Sequence, residues 1–154
     1  MPADGGFAFT HDGGDFTAAV HRCTGVGKCR AGVSGTFMCP SYLATREEKD
    51  VTRGRARILQ EAANSQLIKA IDSPEVLEAL DLCLACKACS ADCPAGVDMA
   101  RYRSEVLFRT YRGRMRPLSH YTLGWLPRLT RVTARVPGLA RIANIVMSVA
   151  PLRS

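Results

Sequence analysis

Nowhere in these 154 residues do apolar side chains approach the run of about 18 that a membrane-spanning helix needs. The opening 20 residues have neither the basic start nor the apolar stretch of a secretory leader, so the expected compartment is cytoplasmic. No stretch alternates apolar and polar residues in the manner of a half-buried strand, which points to an all-α core. Nucleotide chemistry finds no support. Gly25-Val26-Gly27 has no preceding strand and no third glycine in register, and a Walker phosphate loop is missing. Nothing pairs a nucleophile with a base. His11, His21 and His120 lack a carboxylate partner nearby in sequence and read as ordinary surface histidines. These gaps exclude the common hydrolytic and nucleotide-driven classes, and no nucleic-acid partner is expected.

The last third is poor in acid and has no lysine. Residues 1–100 hold 10 Lys and Arg against 13 Asp and Glu, a net −3, while residues 101–154 hold 11 Arg and the single acid Glu105, a net +10. An arginine-only basic tail fits contact with something anionic, or simply a solvated helix face.

Cysteine, by contrast, is plentiful, with seven in a short chain. In a reducing compartment clustered thiols bind metal more often than they form disulfides. Cys83, Cys86, Cys89 and Cys93, the last followed by Pro94, read C-x2-C-x2-C-x3-C-P, the bacterial spacing for iron–sulfur ligation. In two-cluster proteins the fourth cysteine of such a run reaches the other cluster. Upstream lie Cys23, Cys29 and, before Pro40, Cys39. Aligned with the second motif, Cys23 matches the first thiolate, Cys29 the third and Cys39 the fourth, with Val26 in place of the second.

Crossing the fourth cysteines gives two sets. Cys83, Cys86, Cys89 and Cys39 complete a [4Fe–4S] site, which needs four thiolates. Cys23, Cys29 and Cys93 leave an empty corner opposite Val26. That predicts [3Fe–4S], or a [4Fe–4S] whose fourth iron has a non-cysteine ligand, His21 being the nearest candidate. Gly25, Gly27, Gly32 and Gly35 would let backbone approach the sulfides. Met38 and Leu84 read as shielding core residues, and Lys28, Arg30 and Lys87 as cations flanking the cysteines. The competing chemistry is zinc, in a structural or interaction module without redox work. Zinc usually pairs two Cys-x2-Cys arms rather than drawing on one compact run.

The paired groups resemble the helical ferredoxin domain of the succinate dehydrogenase and fumarate reductase iron–sulfur subunit, with the motif order reversed and a longer gap before Cys39. Over more of the chain, RCTGVGKCR, MCPSYLATREE, TRGRARIL, LCLACKACSADCPAGVDMA and YRGRMRPLSH resemble the dicluster segment of large FAD-linked oxidases that act on D-lactate, glycolate or similar 2-hydroxy acids. The resemblance spans roughly residues 15–130. It implies an electron-transfer fragment or subunit without flavin of its own. The implied partners are an FAD-binding oxidase portion and a Cys-rich C-terminal portion, and the implied acceptor is a quinone or other membrane-linked carrier.

Residues 1–20 read as an irregular, linker-like strip, 21–113 as the helical dicluster domain and 114–154 as a basic amphipathic tail. Thr45 and Glu48 form a T-x-x-E capping box that predicts a helix running to about Ile71, locally weakened by Gly54. Ser73-Pro74-Glu75 opens the next helix, with Val76, Leu77 and Leu80 as its buried stripe. Asp98 caps another through Tyr111. In the tail, Trp125, Leu126, Leu129, Val132 and Val136 recur at helical spacing, and Pro127 and Pro137-Gly138 are expected to interrupt it. That stripe suits burial against a further domain, or a peripheral place on a membrane surface at its inner face.

Overall fold

The computed structural model describes residues 6–31, 38–65, 67–68, 70–136 and 138–148. Among them there are helices and 3-10 turns and no strand, as the missing alternation predicts. The chain divides into two compact units, residues 1–113 and 114–154.

The first unit is built round α3 (Thr52–Asn64), which packs on α1 (Phe16–His21), α4 (Pro74–Asp81) and α6 (Met99–Thr110). Its inner face carries Thr52, Arg55, Ala56, Leu59 and Ala62, the i, i+3, i+4 pattern of a core-facing stripe. The single helix expected from Thr45 is replaced by three pieces. Helix α2 (Pro40–Thr45) starts on a proline and stops at Arg46, whose φ is 60°. A 3-10 turn, Glu48–Asp50, follows, and α3 begins only after it. Thr45 is spent locally: its hydroxyl donates to Ser41 O and accepts from Glu47 N–H, so no capping box forms. Helix α3 ends at Asn64, short of Ile71, with Ser65 at φ 54°.

Gly54 is no weak point. A Cβ there would lie 1.8 Å from Glu48 O, so glycine is what lets α3 sit against the 3-10 turn. Helix α4 and α6 open where the sequence signals lie. Ser73 is extended ahead of Pro74, and Asp98 accepts from Arg101 N–H at 3.1 Å. Val76 and Leu80 are buried, with Leu77 packed beside them.

From residue 6 the N-terminal strip is more ordered than its lack of period suggested. It holds a 3-10 turn, Thr10–Asp12, and α1, capped by Asp15, which accepts from Thr17 N–H at 2.8 Å. Phe9 and Phe16 enter the core beside Tyr102, with ring centroids 5.4 Å apart for the phenylalanines and 5.9 Å for Phe16 and Tyr102. Complete burial of such a ring is worth roughly 1.5–3 kcal/mol. Tyr102 donates to Ala19 O at 2.6 Å, and buried Glu105 accepts from Phe7 N–H and pairs with Arg109, so α6 staples the strip at both ends.

The second unit comprises α7 (Leu118–Arg135) and α8 (Leu139–Ser148). Helix α7 ends at Arg135 and α8 starts at Leu139, so the tail forms two helices as expected, but Pro127 lies inside α7 and does not end it. A proline removes one N–H and crowds the carbonyl four residues back. Helix α7 has no buried residue, so water can satisfy the freed carbonyl.

Candidate iron–sulfur sites

Two of the cavities in the first unit are small and partly open to solvent. Cys39, Cys83, Cys86 and Cys89 line one of them. Cys23, Cys29 and Cys93 line the other, together with Val26.

Each cysteine is delivered by a short local device. Cys83 follows the end of α4, its N–H donating to Leu80 O at 3.1 Å. Ala85 and Lys87 then take positive φ of 51° and 62°. Left-handed residues alternating with ordinary ones curl a backbone into the concave form that suits anionic clusters. Helix α5 (Ala88–Asp92) carries Cys89, whose sulfur accepts from Met99 N–H at 3.4 Å. Cys93 caps α5 in an extended conformation and so leaves the helix towards the second cavity. Cys39 precedes Pro40 at φ 57°, a strained value for a non-glycine residue and of the kind found at functional sites. In the second cavity Gly25 and Gly27 have φ of 83° and 80°, and Cys29 sits in the 3-10 turn Lys28–Arg30. Gln60 of α3 donates to Val20 O and Cys23 O, which ties the Cys23 loop to the central helix.

Burial pushes the thiols of Cys29 and Cys89 above their ordinary range. The Cys39 thiol donates to Asp50 O at 3.1 Å and accepts from Arg55 Nη1 at 3.5 Å. Among the described residues, no three His, Cys, Asp or Glu side chains converge tightly enough to hold a single ion. All-cysteine donor sets drawn partly from a C-x2-C-x2-C-x3-C-P run fit iron–sulfur centres. The buried Nη2 of Arg55, in the wall of the first cavity, has no hydrogen-bond acceptor within the protein, and sulfide would provide one.

Other residues singled out from the sequence fall into place unevenly. Met38 is buried in the wall of the second cavity, whereas Leu84, expected to be core, is 69% exposed. A loop of two residues between ligands leaves Leu84 no inward direction. Lys28 and Lys87 line the two cavities from exposed positions; Lys87 pairs with Asp98 and Arg30 with Glu48, each at 3.3 Å. His21 is turned to other work: Nδ1 lies 2.7 Å from Thr17 O and Nε2 3.5 Å from the Asn64 amide. Gly32 and Gly35 lie outside the described residues. Sequence reasoning missed Arg55. Its signal was position: it shares the α3 stripe with Leu59 and Ala62, a place where a charge must have a reason.

The pattern of one protein family, described as 4Fe-4S dicluster domain, matches residues 18–97. The chain belongs to that family. Two iron–sulfur clusters are therefore its cofactors, as the cysteine arithmetic predicts. The dicluster chain is also similar to D-2-hydroxyglutarate dehydrogenase of Pseudomonas putida, 34% identical over 81% of this chain and 16% of that protein. The Pantoea ananatis protein of the same name is 28% identical over 77% of this chain and 15% of its own length. That of Escherichia coli is 26% identical over 75% and 15%. The dicluster chain thus spans less than one fifth of the curated relatives it matches. No solved structure matches it. The resemblance drawn from the motifs, to a 2-hydroxyacid dehydrogenase with an iron–sulfur segment, agrees with these relatives.

Proposed function

We propose that this chain relays single electrons from a flavin-dependent dehydrogenase of D-2-hydroxy acids to a downstream acceptor. Cys39, Cys83, Cys86 and Cys89 hold a [4Fe–4S] centre, and Cys23, Cys29 and Cys93 hold the second centre. The observation that carries this reading is the crossing: cysteines from two segments more than 40 residues apart line shared cavities in the sets expected of a two-cluster protein. Bound iron–sulfur clusters supply one-electron chemistry with little rearrangement. The chain's own residues do the rest. Cysteine thiols give up protons to become ligands, Met99 N–H and Arg55 Nη1 support two of the sulfurs, and the core behind them keeps out water.

The second centre has three cysteines at its cavity, and Val26 beside them is 69% exposed. We assign it as [3Fe–4S], since an iron without a thiolate at that open corner is readily lost. The dehydrogenase names of the relatives make D-2-hydroxyglutarate the first substrate to test in the flavin-bearing portion. The tail would pack its apolar stripe on that portion, on the cytoplasmic side of the membrane.

The test is low-temperature EPR on anaerobically prepared chain, with iron and sulfide counted, for the wild type, Cys39→Ser and Cys93→Ser. Cys39→Ser should weaken the signal of the reduced four-iron centre although it lies far in sequence from Cys83, Cys86 and Cys89. Cys93→Ser should abolish the signal of the oxidised three-iron centre. A colourless wild-type protein that holds zinc would overturn the electron-transfer reading.

A further inference from the structure

We infer that Arg55 sets the electron affinity of the centre held by Cys39, Cys83, Cys86 and Cys89, acting as a fixed buried cation whose effect Asp50 trims. The inference rests on the iron–sulfur reading of that cavity. Arg55 is 1% exposed and forms part of the cavity wall. Its Nε donates to Ala79 O at 2.7 Å, which anchors the guanidinium to α4. Nη1 donates to Cys39 Sγ at 3.5 Å. Nη2 lies 3.8 Å from Asp50 Oδ1, beyond hydrogen-bond length, and has no acceptor. Asp50 is itself 2% exposed.

A carboxylate that only compensates an arginine normally grips it in two parallel hydrogen bonds. Here the ion pair is loose, and the guanidinium is held by a carbonyl on one side and a ligand sulfur on the other. An arginine cannot escape the cost of burial by losing its proton. A thiolate-held centre in the cavity would add a second counter-charge beside Asp50 and would supply sulfur acceptors for Nη2. Such a centre is anionic when oxidised and gains one further negative charge on reduction. The reduced form is therefore stabilised more by the cation, and the midpoint potential rises. The one-electron step takes its electron from an external reductant. No bond forms or breaks, and Arg55 and Asp50 keep their protons. Lys28, Arg30 and Lys87 are exposed, so water and salt screen them. Arg55 is the cation whose charge acts in a dry environment.

Redox titration followed by EPR on the loaded full-length chain tests this with Arg55→Gln, Arg55→Lys and Asp50→Asn. Arg55→Gln keeps amide donors and removes the charge. It should lower the reduced-to-oxidised ratio about tenfold at a given potential, equivalent to a midpoint fall of ~59 mV for one electron. Arg55→Lys should fall less, because charge remains while the fork is lost. Asp50→Asn should move the midpoint the other way, upwards. A merely structural role would not give opposite signs for the two partners of one ion pair. Iron and sulfide content and circular dichroism accompany each variant. If Arg55→Gln does not retain the centre, Arg55→Lys and Asp50→Asn decide: an unchanged midpoint in both, or shifts in the same direction, overturns the inference. A wild type without the four-iron signal would instead overturn the reading on which it rests.

Discussion

Val26 is a single side chain whose replacement has a defined spectroscopic outcome. It occupies the place of a second thiolate in the first cysteine group and lies exposed at the second cavity. Val26→Cys should add one iron per chain and replace the oxidised three-iron EPR signal with that of a reducible four-iron centre; an unchanged signal would show that the two motifs are misaligned. The buried thiols give a second expectation. Burial raises Cys29 and Cys89, and pushes the Tyr102 phenol up as well. The folded, metal-free chain therefore keeps protons that the unfolded chain releases first as pH rises. Its stability is complete below the ordinary thiol range, about 8.5, and declines as pH climbs through that value and the raised folded ones. In the loaded chain the cysteines are already deprotonated as ligands, so the thiol part of the decline disappears. Melting temperatures of both forms from about pH 7 to pH 10 check this, and parallel curves would refute it.

Helix α3 is placed by a contact that only glycine permits. Gly54→Ala would drive a methyl group into Glu48 O, and the 3-10 turn Glu48–Asp50 would have to move. Forced overpacking costs about 1–3 kcal/mol and more where backbone is the obstacle. Urea unfolding of Gly54→Ala should show a loss of roughly 3 kcal/mol. The same displacement carries Asp50, so the centre beside Arg55 should also change its EPR line shape. Helix propensity marks Gly54 as a defect, because propensity concerns a helix in isolation. The partner turn that makes it necessary is visible only once the chain is folded. Pro127 is the converse case: the rule marks it as a helix breaker, yet α7 continues through it, and because no residue of α7 is buried, water can take the carbonyl that the proline leaves unpaired.

For the molecule as a whole, the two compact units divide at residues 113 and 114, and every cysteine falls in the first. A chain truncated after Gly113 should retain its iron, its sulfide and both EPR signals. Loss of either centre on truncation would show that the basic tail is part of the cluster fold. In the tail, Leu123, Trp125 and Leu129 are each more than half exposed. That leaves them available to a flavin-bearing portion, and liposome flotation at low salt separates this from a membrane surface: the docking reading expects no flotation.

The grouping of the cysteines at two cavities could be read from the chain itself. The candidate ligands are marked locally, because a C-x2-C-x2-C spacing determines how closely thiolates can approach within one turn, and the proline after the fourth cysteine redirects the backbone. Helix starts at Pro74 and Asp98 were likewise legible, since a cap depends on neighbours in sequence. The conversion of one expected helix into α2, a 3-10 turn and α3 was not, because it depends on how the turn packs against Gly54. Nor could sequence show which arginine of Arg53, Arg55 and Arg57 would be dry. Charge type is written in the residue, but burial is a property of what surrounds it, and only the packing of α3 against α4 turns Arg55 inward to Cys39.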